Sequence, residues 1–161
     1  MGVDPMKQTV QMREIQEKMK PGVITRDGFL GTDSRNLIDI LTADDDKVKR
    51  LNLTHTQIAQ RMRELRDAGK KGLGNFVRVA PHFEIRVDMV RGKLACPFGH
   101  PGLIQKTNVQ VRNLESNRDI TFTDMHIHMV GDHGFYEGKG SPFRLEVRDL
   151  IDILEIELPE E

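Results

Sequence analysis

The stretch FEIRVDM, residues 83–89, decides the fold class because apolar and polar side chains alternate along it without interruption. This period of two is typical of a β-strand with one face in the core and the other in water. Arg91-Gly92 predicts a turn into a strand at 93–96, and a second alternating stretch occupies residues 106–112. Residues 115–117 (ESN) then turn the chain into 119–123, so the sequence predicts an antiparallel sheet of two hairpins.

Helical patterns precede and follow this sheet. Residues 6–20 carry apolar side chains at helical spacing, and residues 54–57 (THTQ) have the spacing of a capping box. An apolar stripe follows the capping box, formed by Ile58, Met62 and Leu65. Residues 146–154 repeat this helical pattern near the end of the chain. The order predicts an α+β fold with a helical N-terminal half, an antiparallel sheet of two hairpins and a closing C-terminal helix.

Three further features of the N-terminal half carry local predictions. Residues 23–30 indicate a short hairpin about an Asp27-Gly28 turn. Residues 32–34 (TDS) predict the cap of a helix that buries Leu37, Ile38 and Leu41. The segment 42–46 (TADDD) indicates a second helix start, because acidic residues are favoured at the positive end of the helix dipole.

Length and composition limit the class of protein. A chain of 161 residues suits a single domain, 1–161, with 1–22 as a candidate helical N-terminal appendage. A single cysteine excludes a disulfide scaffold, and no apolar run is long enough to predict a membrane span. The lone thiol and the polar N-terminus favour a reducing cytoplasm. A net charge of −1 with a mildly basic first half does not favour nucleic acid as a partner.

The densest polar cluster lies in residues 124–138 and contains three of the six histidines, His126, His128 and His133. If residues 125–130 form a strand, His126 and His128 share one face and can bind a metal together. If 124–130 is a helix capped by Asp124, the same two side chains point about 200° apart and cannot chelate jointly. The pattern favours the strand narrowly.

A second group of candidate ligands lies in the Pro/Gly-rich segment 96–102, where Cys96 and His100 are four residues apart. Thiolate and imidazole are the ligands that zinc prefers. No second cysteine is available, so a mixed site requires the fold to bring 96–100 beside 126–133. The candidate metal ligands are therefore His126, His128, His133, Cys96 and His100, with zinc as the candidate cofactor.

These observations support two hypotheses of different class. One is a metal-assisted hydrolase whose pocket gathers the histidines of 126–133 with Tyr136, while Glu137 or Glu84 serves as a candidate base. The other is a non-enzymatic interaction or regulatory module that binds a protein partner through its helical N-terminal half. The expected partner is an unidentified small molecule or protein, and no membrane association is expected. Whether the protein forms a homo-oligomer is left open. No nucleophile elbow or phosphate-binding loop is present in the sequence to favour another chemistry.

Overall fold

The computed structural model describes residues 8–159 and confirms the α+β fold. Within that range there are five α-helices and one four-stranded sheet. The helices are α1 (Val10–Lys18), α2 (Leu37–Arg50), α3 (His55–Gly69), α4 (Asp124–His133) and α5 (Val147–Leu154), with a short 3-10 helix at Lys70–Gly72. The strands are β1 (Val77–Val79), β2 (Phe83–Ala95), β3 (Leu103–Asn113) and β4 (Arg118–Thr123). All neighbours in the order β1-β2-β3-β4 pair antiparallel.

The alternation at residues 83–89 places Phe83, Ile85 and Val87 on the buried face of β2. They pack against the predicted stripe of α3, which the Thr54 and Gln57 capping box begins as expected. The predicted turn at Arg91-Gly92 is wrong. Strand β2 continues to Ala95, and its register with β3 shifts between Met89 and Lys93, which is a β-bulge.

The hairpin predicted at 23–30 is also wrong, because the backbone of Phe29 bonds elsewhere. Its N–H donates to the Met19 carbonyl at 2.9 Å, and its carbonyl accepts from the Gly138 N–H at 2.9 Å. The second helix start predicted at 42–46 is wrong as well. Helix α2 runs unbroken through these residues, and Asp44 is buried on its inner face.

Helix α4 contradicts the favoured strand at 125–130. Its N-cap is Thr123 and not Asp124, since the Thr123 hydroxyl accepts from the His126 N–H at 3.2 Å. The helix lies between two apolar clusters. Ile127 and Val130 contact the cluster under the sheet, whereas Met125 and Met129 contact a second cluster with α1 and α2. A helix buried on several faces has no clean amphipathic pattern, which explains the error.

Candidate metal centre

The segment that follows β2 brings two candidate ligands to the C-terminal half of α4. Its backbone turns back where the Gly99 N–H donates to the Cys96 carbonyl at 3.0 Å, and Gly99 has a φ of 87°, which favours glycine. Cys96 is buried against α4. His100 lies at the other end of the turn and also approaches α4, but its side chain is 47% exposed.

Four side chains meet there with the geometry of a metal site: Cys96, His100, His128 and His133. One ligand atom from each lies within 4.8 Å of the ligand atoms of the other three. Cys96 Sγ lies 3.5 Å from His133 Nε2. A tetrahedral zinc ion with ordinary Zn–S and Zn–N bonds requires a sulfur-to-nitrogen distance of about 3.6 Å. This group can therefore hold a metal ion.

Neighbouring side chains orient the histidine rings. Asp132 Oδ2 lies 3.1 Å from His128 Nδ1 and 3.6 Å from His100 Nδ1. His128 Nε2 is buried and has no hydrogen-bond partner among the described residues. A carboxylate on Nδ1 that leaves Nε2 free is the usual arrangement of a metal-binding histidine. The His133 ring is stacked on Phe98 with a centroid distance of 4.0 Å, which fixes its plane.

The electrostatics of the group favour neutral imidazoles. Burial, with additional repulsion from His100 and His128, lowers the pKa of His133 to about 4. Burial also lowers the pKa of His128, although Asp132 opposes the change. Neutral imidazole is the form that binds metal ions, so these two ligands need not lose a proton near neutral pH.

The structure places His126 apart from this group. Its Nδ1 accepts from the Thr123 N–H at 3.0 Å, so His126 occupies the capping-box position that Glu or Gln usually holds. Its Nε2 lies 2.7 Å from Glu137 Oε2 on another side of α4. His126 and His128 thus diverge as expected for a helix.

Tyr136 and Glu137, the catalytic candidates, make other contacts. The Tyr136 hydroxyl pairs with His55 Nδ1 at 2.8 Å, and His55 Nε2 lies 2.9 Å from Asp45 Oδ1. Burial, with the nearby Asp44 charge, raises the pKa of Tyr136. Glu137 is buried and accepts a hydrogen bond from the Ser141 hydroxyl at 2.8 Å. The side-chain contacts of both residues are therefore with groups other than the four clustered ligands.

Two residues at the site were not anticipated. Asp132 stands four residues after His128, a spacing that puts both on one helix face, and this pattern was available in the sequence. Phe98 lies within the Cys96–His100 turn, but its stacking on His133 depends on a contact across the fold. No local pattern carries that information.

Among residues 8–159, none of the helices is both long and apolar enough to cross a membrane. A comparison of the chain with models of protein families, with curated proteins and with solved structures gave no match.

Proposed function

We propose that the protein binds one zinc ion through Cys96, His100, His128 and His133, and that the ion fastens the 96–102 turn to α4. The observation that carries the proposal is the mutual approach of four ligand atoms to within 4.8 Å. A chance grouping of surface polar side chains does not explain it, because Cys96 is buried and His128 Nε2 lacks a partner in the described chain.

The donor set favours zinc over other common ions. One thiolate and three imidazoles suit a borderline-soft tetrahedral ion, whereas calcium and magnesium require oxygen ligands. Four protein ligands complete a tetrahedral shell, which is the arrangement of a structural zinc site. A reducing cytoplasm is the compartment that we propose, since it keeps the Cys96 thiol available to the metal.

Metal-assisted hydrolysis is the second candidate, and the exposure of His100 favours it. A catalytic zinc ion keeps one position for water, so one of the four ligands must be displaceable. His100 is 47% exposed at the edge of an open cavity that Cys96 and His128 also line. In that case Asp132, which lies beside both His100 and His128, is the candidate base. That the protein is a non-enzymatic interaction module, which binds a partner through its helical N-terminal half, remains a prediction.

Metal analysis of untagged protein tests the proposal. After zinc loading and gel filtration, we expect about one equivalent of zinc by mass spectrometry. Cys96→Ala, His128→Ala and His133→Ala should each lower this below about 0.1 equivalent. His126→Gln is the matched control, since glutamine suits the capping-box position and the residue lies outside the ligand set; it should retain the metal.

Cobalt substitution adds a second readout. Bound Co²⁺ should show a thiolate charge-transfer band that disappears in Cys96→Ala. Loss of zinc from all variants including His126→Gln would indicate global unfolding and contradict specific ligation. Full zinc retention in Cys96→Ala and His133→Ala would overturn the proposal. Hydrolysis of an activated ester by zinc-loaded protein, abolished in Asp132→Asn, would favour the second candidate.

A further inference from the structure

One side of β2 has no strand partner over most of its length in the part of the chain that the structure describes. Strand β1 pairs with β2 only along residues 83–85, whereas β2 continues to Ala95. Strand β3 occupies the other side of β2. Residues 88–95 are all exposed except Leu94, which is half-buried. An exposed strand edge presents unpaired backbone N–H and C=O groups, which can pair with a strand from another chain.

Two large apolar side chains lie on this free edge of β2. Met89 is 60% exposed and Val90 is 40% exposed. Both belong to the β-bulge, where residues 90–92 of β2 lie opposite Lys106 alone. By contrast, none of the six residues of β4, at the other edge of the sheet, is an exposed large apolar residue. The free edge of β2 is therefore the better suited of the two to pair with another chain.

The charged side chains of the β2 edge are free to contact a partner. Asp88, Arg91 and Lys93 form no ion pair within 4.0 Å with any residue in the described range. On β4, Arg118 is instead paired with Asp149 at 2.8 Å. Opposite charges that face each other across two strands stabilise the pair, and like charges destabilise it. A parallel copy of β2 in the same register would place like charges together, whereas an antiparallel copy reverses their order.

The bulge places Asp88 and Lys93 on the same side of the sheet. Before the bulge, Val87 is buried in the core and Asp88 beside it is exposed. After the bulge, Leu94 packs against the apolar cluster of α1 and α2, and Lys93 beside it is exposed. Residues directly opposite each other in an antiparallel pair point to the same side of the sheet. Asp88 of one copy can thus lie opposite Lys93 of another, and this register also sets Val87 opposite Leu94.

We propose that two copies of the chain associate by antiparallel pairing of residues 88–93, with Asp88 of each copy opposite Lys93 of the other. The arrangement is two-fold symmetric, so each dimer contains two such ion pairs, and Val90 lies beside the symmetry axis. Six residues from each copy form an interface below the standard size of about 1,200–2,000 Å², so the dimer is weak. The four metal ligands lie outside 88–93, so this proposal does not rest on the zinc proposal.

Analytical ultracentrifugation of the full chain tests the proposal. We expect the fraction of dimer to grow as the protein concentration rises toward about 1 mM. Asp88→Lys and Lys93→Asp should each weaken the association about tenfold, because two attractive pairs become two repulsive pairs. The double variant Asp88→Lys/Lys93→Asp should restore it, since opposite charges face each other again. Asp119→Lys is the matched control, because it makes the same charge change at an exposed position of β4 and should leave the association unchanged.

Hydrogen–deuterium exchange locates the interface without any substitution. The amides of residues 88–93 should exchange more slowly at high protein concentration, whereas those of β4 should not change. A monomer at every concentration up to about 1 mM would overturn the proposal. A dimer that both single charge reversals leave unaffected would overturn the pairing of Asp88 with Lys93, as would a folded double variant that does not recover. Slower exchange at β4 alone would overturn the choice of edge.

Discussion

Arg144 offers the sharpest stability test, because its side chain is only 6% exposed and its guanidinium donates hydrogen bonds to three residues. It donates to both carboxylate oxygens of Asp44, at 2.6 and 2.8 Å, and to Glu146 Oε1 at 3.1 Å. It also donates to the Glu137 carbonyl at 2.7 Å. Arg144→Met should therefore leave Asp44, which is 2% exposed, as a buried charge without its principal partner.

Breaking one side of a buried ion pair costs about 3–5 kcal/mol. Lys47 Nζ, 3.7 Å from Asp44 Oδ1, offers partial compensation, so the lower end of about 3 kcal/mol is expected. For a chain of this size that corresponds to a fall in Tm of about 6–12 °C. Asp44→Leu should cost a similar amount, because Arg144 then keeps Glu146 as its only acidic partner among the described residues. The double variant Asp44→Leu/Arg144→Met should recover most of the loss, since an apolar pair replaces the ion pair.

Arg144 also holds the backbone of Glu137, which has a φ of 69°. That conformation is unfavourable for a residue other than glycine and depends on surrounding contacts. Loss of the hydrogen bond to the Glu137 carbonyl should consequently add to the destabilisation by Arg144→Met.

Urea unfolding followed by circular dichroism, arranged as a double-mutant cycle, provides the measurement. Arg148→Met is the control, because its ion pair with Asp152 is exposed and should contribute less than about 0.5 kcal/mol. Single losses below 1 kcal/mol that add in the double variant would refute the reasoning.

Two further predictions concern stability. Unfolded chains protonate histidine near pH 6.5 and folded His133 near pH 4, so metal-free protein should lose stability as the pH falls through this window, by about 1 kcal/mol after solvent screening. Urea unfolding midpoints at pH 7.5, 5.5 and 4.5 would measure this loss. If the midpoint of His133→Gln fell with pH as steeply as that of the unsubstituted protein, the prediction would be contradicted. Gly69→Ala should destabilise by about 1–3 kcal/mol, because a Cβ there would overlap Ile85 and lie 2.9 Å from Val87 Cγ2. Gly72→Ala, whose nearest contact is 3.3 Å, should cost much less, and equal thermal shifts would be inconsistent with this packing.

The parts of the fold that the sequence predicts are those set by local patterns. The alternation at 83–89 and the Thr54–Gln57 capping box each depend on neighbours within a few residues, and both are confirmed. The predictions for residues 23–30 and 42–46 were wrong for the opposite reason. Phe29 bonds to Gly138, and Asp44 pairs with Arg144, 100 residues away, so distant partners outweigh the local preference.

The candidate site shows the same division. The Cys96–His100 spacing and the density of histidines in 124–138 identify which residues carry chemistry. Their grouping depends on the bulge and length of β2 and on the helical state of α4, which neither pattern encodes. The sequence Thr123-x-x-His126 is a capping box with histidine in the position that glutamate or glutamine usually holds. Because the motif differs from the usual one, the sequence did not predict a helix start at Thr123.

Helix α4 explains how one cluster of histidines divides between two separate groups of side chains. Successive residues of a helix are rotated by about 100°, so His126 and His128 project in nearly opposite directions. His126 caps α4 and meets Glu137, whereas His128 and His133 meet Cys96 and its turn. The two groups share a helix but no side chain. Loss of zinc in His128→Ala should leave the Thr123–His126 cap of α4 intact, and His126→Gln should leave zinc bound.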